Sequence, residues 1–238
     1  MGFKINNDEE MDRLLTGLAN DIVDAHVHYK MHDDLITALQ AAPEVARESN
    51  NFWHMTISAH VKLSQAMLTR AYDQEHQSLH LKSWLIAIRD NPDMFSAASF
   101  RERMKENPYV DSLAEDYRIP DRAQLEADIV LCSSSDPLVR ILMYQRNNCG
   151  AHLSAKLTAA GVKISDQFPL TYADFKRLLE RSLTIIHRYS TLFVATSYST
   201  NVVGRKDFET VFVAVKRMLE QNQVEKDAFI AKAMKAEN

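Results

Sequence analysis

An all-α fold is what this sequence predicts, and three observations predict it. The 238 residues hold only five glycines and six prolines, where ordinary usage of about 7% and 5% would place roughly 17 and 12. β-Hairpins and the crossovers of nucleotide-binding sheets need such residues at fixed points in their turns, so sheet folds are disfavoured. Apolar residues recur at spacings of three and four over long stretches, the period of one helix face. The little punctuation there is suits helix boundaries, with Pro43 and Pro137 at starts and Gly161 and Gly204 at ends.

The first element is the most regular. Met11, Leu15, Leu18, Ile22, Ala25, Tyr29, His32, Ile36 and Leu39 are separated alternately by four and three residues, which predicts one long helix from about Asp8 to Ala41. Pro43 then opens a second helix, expected over roughly Glu44 to Tyr72. Its apolar residues form two adjacent stripes: Phe52, Met55, Ala59, Leu63 and Ala66 beside Trp53, Ile57, Val61 and Leu68. So broad an apolar arc predicts a central helix contacted from several sides. A shorter helix, Leu81 to Arg89, ends before Asn91-Pro92, and a charged, partly irregular insertion follows at about 92–120 with a helical piece near Phe100–Glu106.

Asp136-Pro137 reads as an N-cap followed by proline in the first turn. Leu138, Ile141 and Leu142 give that helix its buried face, and a further helix is expected from about Ala151 to Gly161. Thr171 and Asp174 resemble a capping box ahead of Phe175, Leu178, Leu179, Ser182, Ile185, Ile186, Tyr189 and Phe193. A last amphipathic helix is predicted from Phe208 to Gln221, with a frayed charged tail at about 222–238. The whole is expected to form a single helical domain over 1–238.

Composition excludes several function classes. Lys+Arg 28 against Asp+Glu 32 gives a net charge of −4, without the global positive field of a non-specific nucleic-acid binder. The start of the chain lacks an apolar signal core and no 18-residue apolar run exists, so a cytoplasmic protein without membrane association is expected. There is no P-loop and no Gly-x-Ser-x-Gly elbow. His26 and His28 lie two apart inside the first helix, where their side chains diverge by about 200°. His76 and His80 have no second ligand cluster, and His32, His54 and His60 read as hydrogen-bonded packing residues. Cys149 and His152 lack any group to orient them as a nucleophilic pair. Neither a metal nor a cofactor is expected.

One segment stands out: Tyr144-Gln145-Arg146-Asn147-Asn148-Cys149-Gly150-Ala151-His152. On an unbroken helix, residues 146 and 152 diverge by about 120° with ~9 Å of rise, and Gly150 offers a place for the backbone to deviate and bring them together. Cation, amide and imidazole suit cleavage of an RNA phosphodiester. The 2′-hydroxyl must lose a proton, the leaving 5′-oxygen must gain one, and the phosphorane needs positive charge. A polar junction between two helices uses the same residues.

Arg146-Asn147 followed by His152 resembles the Arg-x(4 to 6)-His signature of the HEPN superfamily. The order of the other blocks is similar to its abortive-infection type-U branch: Phe52-Trp53-His54, Arg70-Ala71-Tyr72-Asp73, Ser78-Leu79, the Tyr144–His152 segment, Leu170-Thr171-Tyr172-Ala173-Asp174 and Arg188-Tyr189. Together they cover roughly residues 45 to 190, with Asn148 standing where a Lys is expected. The resemblance implies an antiparallel helical bundle that dimerises, with the Arg-x-His motifs of two chains facing one cleft. It implies a metal-independent endoribonuclease, a toxin or phage-defence effector with RNA as substrate and a neutralising antitoxin as a further partner. Arg146, Asn147 and His152 are then the catalytic residues, Arg140, Asn148 and Lys156 extend a phosphate track, and Tyr72-Asp73 fixes the second helix. Two other readings stay open: a non-catalytic HEPN module binding RNA, a nucleotide or a partner protein, and a plain helical dimer.

Overall fold

A computed structural model describes residues 4–116, 118–150, 155–161, 166 and 168–236. Every regular element among them is helical: α1 (Asp8–Ala41), α2 (Pro43–Glu48), α3 (Asn50–Ala71), α4 (Leu81–Asp90), α5 (Ala97–Arg103), α6 (Val110–Glu115), α7 (Arg122–Leu131), α8 (Pro137–Gln145), α9 (Ala155–Ala159), α10 (Tyr172–Val194) and α11 (Phe208–Ala236), with a 3-10 turn at Pro92–Phe95. The chain is all-α, as its composition and periodicity predict.

These helices group into two compact units. The first takes Met1–His26 with Leu63–Thr200, and the second takes Val27–Lys62 with Asn201–Asn238. In the first unit, Met11, Leu15, Leu18, Ile22 and Ala25 of α1 are buried, together with Leu68, Tyr72, Trp84, Leu85, Ile88, Leu142, Leu178, Ile186 and Tyr189. In the second, Leu35, Leu39, Ala42, Val45, Trp53 and Phe212 form a separate core. Trp53 meets Phe212 edge-on at 5.1 Å and donates its indole N–H to the Val45 carbonyl at 3.3 Å.

The α1 seam drifts along its length. Leu35 is buried while His32 and Ile36 are half-buried. A strict repeat of 3.5 residues slips by about 20° per heptad against a straight helix, so the inward face passes to a neighbouring position. The predicted second helix is divided at Ser49 (φ −141°) into α2 and α3. The stripes of α3 also separate. Trp53 and Leu68 are buried, but Phe52, Met55 and Leu63 are 59%, 70% and 43% exposed. The expectation of a helix contacted from several sides is therefore corrected: one stripe of α3 turns inward, Trp53 into the core of the second unit and Leu68 into the first, and the other stripe is exposed in the single chain.

Segment 92–120 is tied firmly to the end of α10. Phe95 and Phe100 are fully buried, and Phe95 packs on Phe193 at 5.4 Å. The Arg103 guanidinium lies over the Phe193 ring at 3.8 Å and donates to the Phe193 carbonyl. Arg118 sits over Phe100 and donates to the Thr191 carbonyl at 2.7 Å. Two cations thus satisfy the last carbonyls of α10, where the helix dipole favours positive charge. Two predicted starts hold in detail. Asp136 accepts from the Leu138 and Val139 N–H groups, and Thr171 with Asp174 forms a reciprocal capping box. α7, a helix not among those predicted, buries Leu125, Ile129 and its C-cap Cys132 at spacings of four and three; it is capped by Asp121 and held by buried Asp128, which accepts from Arg188, Tyr189 (2.8 Å) and Gln124 (3.0 Å). The last helix runs on past Gln221 to Ala236.

Candidate active site

The site lies where α8 stops being an α-helix. From Arg146 to Gly150 the chain makes a π-helical turn, at the place where the sequence puts its glycine. Widening a helix by one residue per turn redirects the side chains that follow, and such bulges recur at functional sites. Its flanks are anchored: the Gln145 amide donates to the Phe168 carbonyl at 2.7 Å, and Tyr144 packs on the Phe168 ring at 4.0 Å.

Arg146 is half-buried and reaches the segment that follows α3. Its Nη1 donates to Asp73 Oδ1 and its Nη2 to Asp73 Oδ2, both at 3.2 Å, a two-pronged fit of guanidinium and carboxylate. Nη1 also donates to Asn147 Oδ1 at 3.3 Å. Asp73 is almost covered, with its side chain 11% exposed, and accepts the backbone N–H groups of Gln74 (2.8 Å) and Glu75 (3.4 Å). A carboxylate held by its own turn is a fixed anchor, so Arg146 has a defined orientation. Of its five N–H groups, Nε–H and one on Nη2 have no acceptor among the described residues.

The turn that carries Asp73 is itself immobilised. Tyr72 donates its hydroxyl to the Leu178 carbonyl at 3.0 Å, and burial raises its pKa well above the ordinary value, keeping it a donor. The Gln74 amide donates to the Tyr72, Asp73 and Cys132 carbonyls at 2.8 to 3.0 Å. His80 caps α4, its Nδ1 accepting from the Ser83 N–H. Burial lowers the His80 pKa, partly opposed by the charge of Asp73. It is therefore a neutral imidazole at pH 7, with its proton on Nε2.

The chain matches the family model of HEPN AbiU2 over residues 8–211, a span that contains every residue of this site. The chain belongs to the HEPN AbiU2 family. No curated protein and no solved structure matches it.

Within this HEPN module, the residues singled out from the sequence are placed unequally. Arg146 and Asn147 are joined to each other and to Asp73. His152 lies outside the described residues. The Asn148 amide donates to the Tyr144 carbonyl at 2.8 Å, closing the end of α8. Arg140 on α8 and Lys156 on α9 are exposed. The histidines read as packing residues include His60, whose Nδ1 lies 2.8 Å from Nδ1 of His28. His26 is buried with Nε2 2.9 Å from the Leu179 carbonyl oxygen. Among the described residues no group of three or more His, Cys, Asp or Glu is placed to hold a metal ion. The residue that sequence reasoning undervalued is Asp73. Its signal was the Tyr72-Asp73 block at the end of the second helix, but 73 residues separate it from Arg146 and no spacing rule connects them.

Proposed function

We propose that this HEPN module is a metal-independent endoribonuclease of abortive infection, acting in the cytoplasm as a homodimer. The observation that carries this reading is the two-pronged hold of Asp73 on Arg146, at a π-helical turn that ends two residues before His152 in the sequence. A guanidinium oriented by a buried carboxylate, with N–H groups left over, suits the non-bridging oxygens of a phosphate. Asn147 holds one edge of that guanidinium. His152 takes the proton from the 2′-hydroxyl or gives one to the departing 5′-oxygen. The 2′-oxygen attacks phosphorus, the bond to the 5′-oxygen breaks, and the products are a 2′,3′-cyclic phosphate and a 5′-hydroxyl. One imidazole does one of these proton transfers, and a second copy related by a twofold axis supplies the other. The exposed Phe52 and Met55 on α3 offer such a dimer an apolar face. Arg140 and Lys156 extend the phosphate track, and a neutralising antitoxin is the further partner.

A second reading has one observation in its favour: Asp73 neutralises the charge of Arg146, as suits a non-catalytic module that binds RNA, a nucleotide or a protein. Incubating the purified chain with end-labelled cellular RNA, with and without chelator, separates the two. Cleavage that survives chelator, leaves cyclic phosphate ends and disappears in Arg146→Ala and His152→Ala is the expected result. Cleavage unchanged in both variants would overturn the site, and bound but intact RNA would favour the module.

A further inference from the structure

The helix α11 is anchored at one end only. Phe208, Phe212 and Val215 recur at spacings of four and three and pack into the core of the second unit, with Lys216 paired to Glu44 at 3.1 Å. The same seam continues as Leu219, Asn222, Lys226, Phe229 and Ala233. Yet every residue from 220 to 235 is exposed, Phe229 by 74% and its neighbour Ile230 by 54%. Helices draw most of their stability from packing of an apolar face, which this stretch lacks in the single chain. It also lies beyond residue 211, where the family match ends, and nothing inferred for it rests on the proposed nuclease.

We infer that this arm pairs antiparallel with the same arm of a second copy of the chain. In the heptad set by Phe212 and Val215, Leu219, Lys226 and Ala233 are a positions, and Asn222 and Phe229 are d positions. An antiparallel pair stacks a against d. Asn222 then meets the partner's Ala233, and Lys226 lays its stem on the partner's Phe229, each contact occurring twice by symmetry. The same register puts two g positions together, Glu225 beside the partner's Lys232, again twice. Apart from Lys226 on the seam, the charges of the arm match this register, with Glu220, Glu225 and Asp227 in its first half and Lys232 and Lys235 in its second. A parallel pair instead stacks Lys226 on Lys226 and Asn222 on Asn222, and sets Glu225 opposite Ile230. Charge complementarity therefore selects both the partner and its direction.

Cross-linking of the full chain tests this. Chains carrying Asn222→Cys or Ala233→Cys are mildly oxidised separately and mixed, with the unmodified chain as control for its own cysteines. The mixture is expected to form a disulfide-linked dimer. Each variant alone should give several-fold less, because like positions lie about 16 Å apart along the axis, beyond disulfide reach. Adding Glu225→Lys to the cross-linking pair should cut the yield several-fold, and Glu225→Lys with Lys232→Glu should restore it. Helix content by circular dichroism shows that the arms remain folded. Absence of the mixed cross-link, equal cross-linking in all samples, or indifference to charge reversal would each overturn the pairing. Association through any other face of the molecule leaves this pattern unproduced.

Discussion

At the scale of single residues, the pairing of Asp73 with Arg146 governs what the site can do. Asp73→Asn keeps the shape and removes the carboxylate charge, so the guanidinium loses its fixed orientation while the site gains net positive charge. Single-turnover cleavage should slow by about 10²-fold, the cost of misplacing a group by roughly 1 Å, while RNA affinity holds or rises. An unchanged rate with weaker binding would instead make Asp73 part of the binding surface. On the proposed mechanism, His152→Ala removes a proton-transfer group worth about 10² to 10⁴ in rate, and end-point assays on labelled RNA should register it as near silence. His80 supplies a pH signature. Its folded-state pKa is depressed by burial below the ordinary 6.5, so the unfolded chain binds its proton first as acid is added. The stability it contributes is full above pH 6.5 and falls away as pH drops from there to the folded pKa. The melting temperature of the native chain should therefore fall relative to that of His80→Asn, which can still cap α4, as the pH drops below 6.5.

At the scale of elements, helix starts were the most legible features, because a cap is written in a few adjacent residues. Asp136 and Thr171 do what their neighbours in sequence imply. Thr171→Ala should cost about 1 kcal/mol in chemical denaturation, and Thr171→Ser should recover most of it. Interior decisions were less legible. Nothing local says that α3 buries Trp53 while exposing Phe52, since both stripes are apolar and only the packing of the other helices chooses between them. α7 was legible by the same rules, from its Asp121 cap and from Leu125, Ile129 and Cys132 at spacings of four and three; what no local rule gives is the burial of Asp128. Asp128 belongs inside only because Arg188, Tyr189 and Gln124 arrive from elsewhere to satisfy it.

At the scale of the whole molecule, two cores divide the work. Trp53 is the largest side chain in the core of the second unit, and Trp53→Ala should destabilise that unit by about 3 to 5 kcal/mol. Hydrogen exchange should then rise in α2 and the first turns of α11, while the amides of α4 and α10 stay protected. Loss of protection throughout would mean that the two units unfold as one.

What the sequence by itself determined are properties carried by neighbours along the chain: the helical class, the long first helix, the capped starts, and a polar segment with Arg146 and Asn147 at a break in a helix. The order of those blocks also sufficed to point to the HEPN superfamily. Only the tertiary structure decided which apolar stripe turns inward, where the α1 seam drifts, and that Asp73 holds Arg146. The physical reason is range. Propensity, capping and periodicity act over about four residues, whereas a carboxylate meets a guanidinium 73 positions away only after the helices between them have packed.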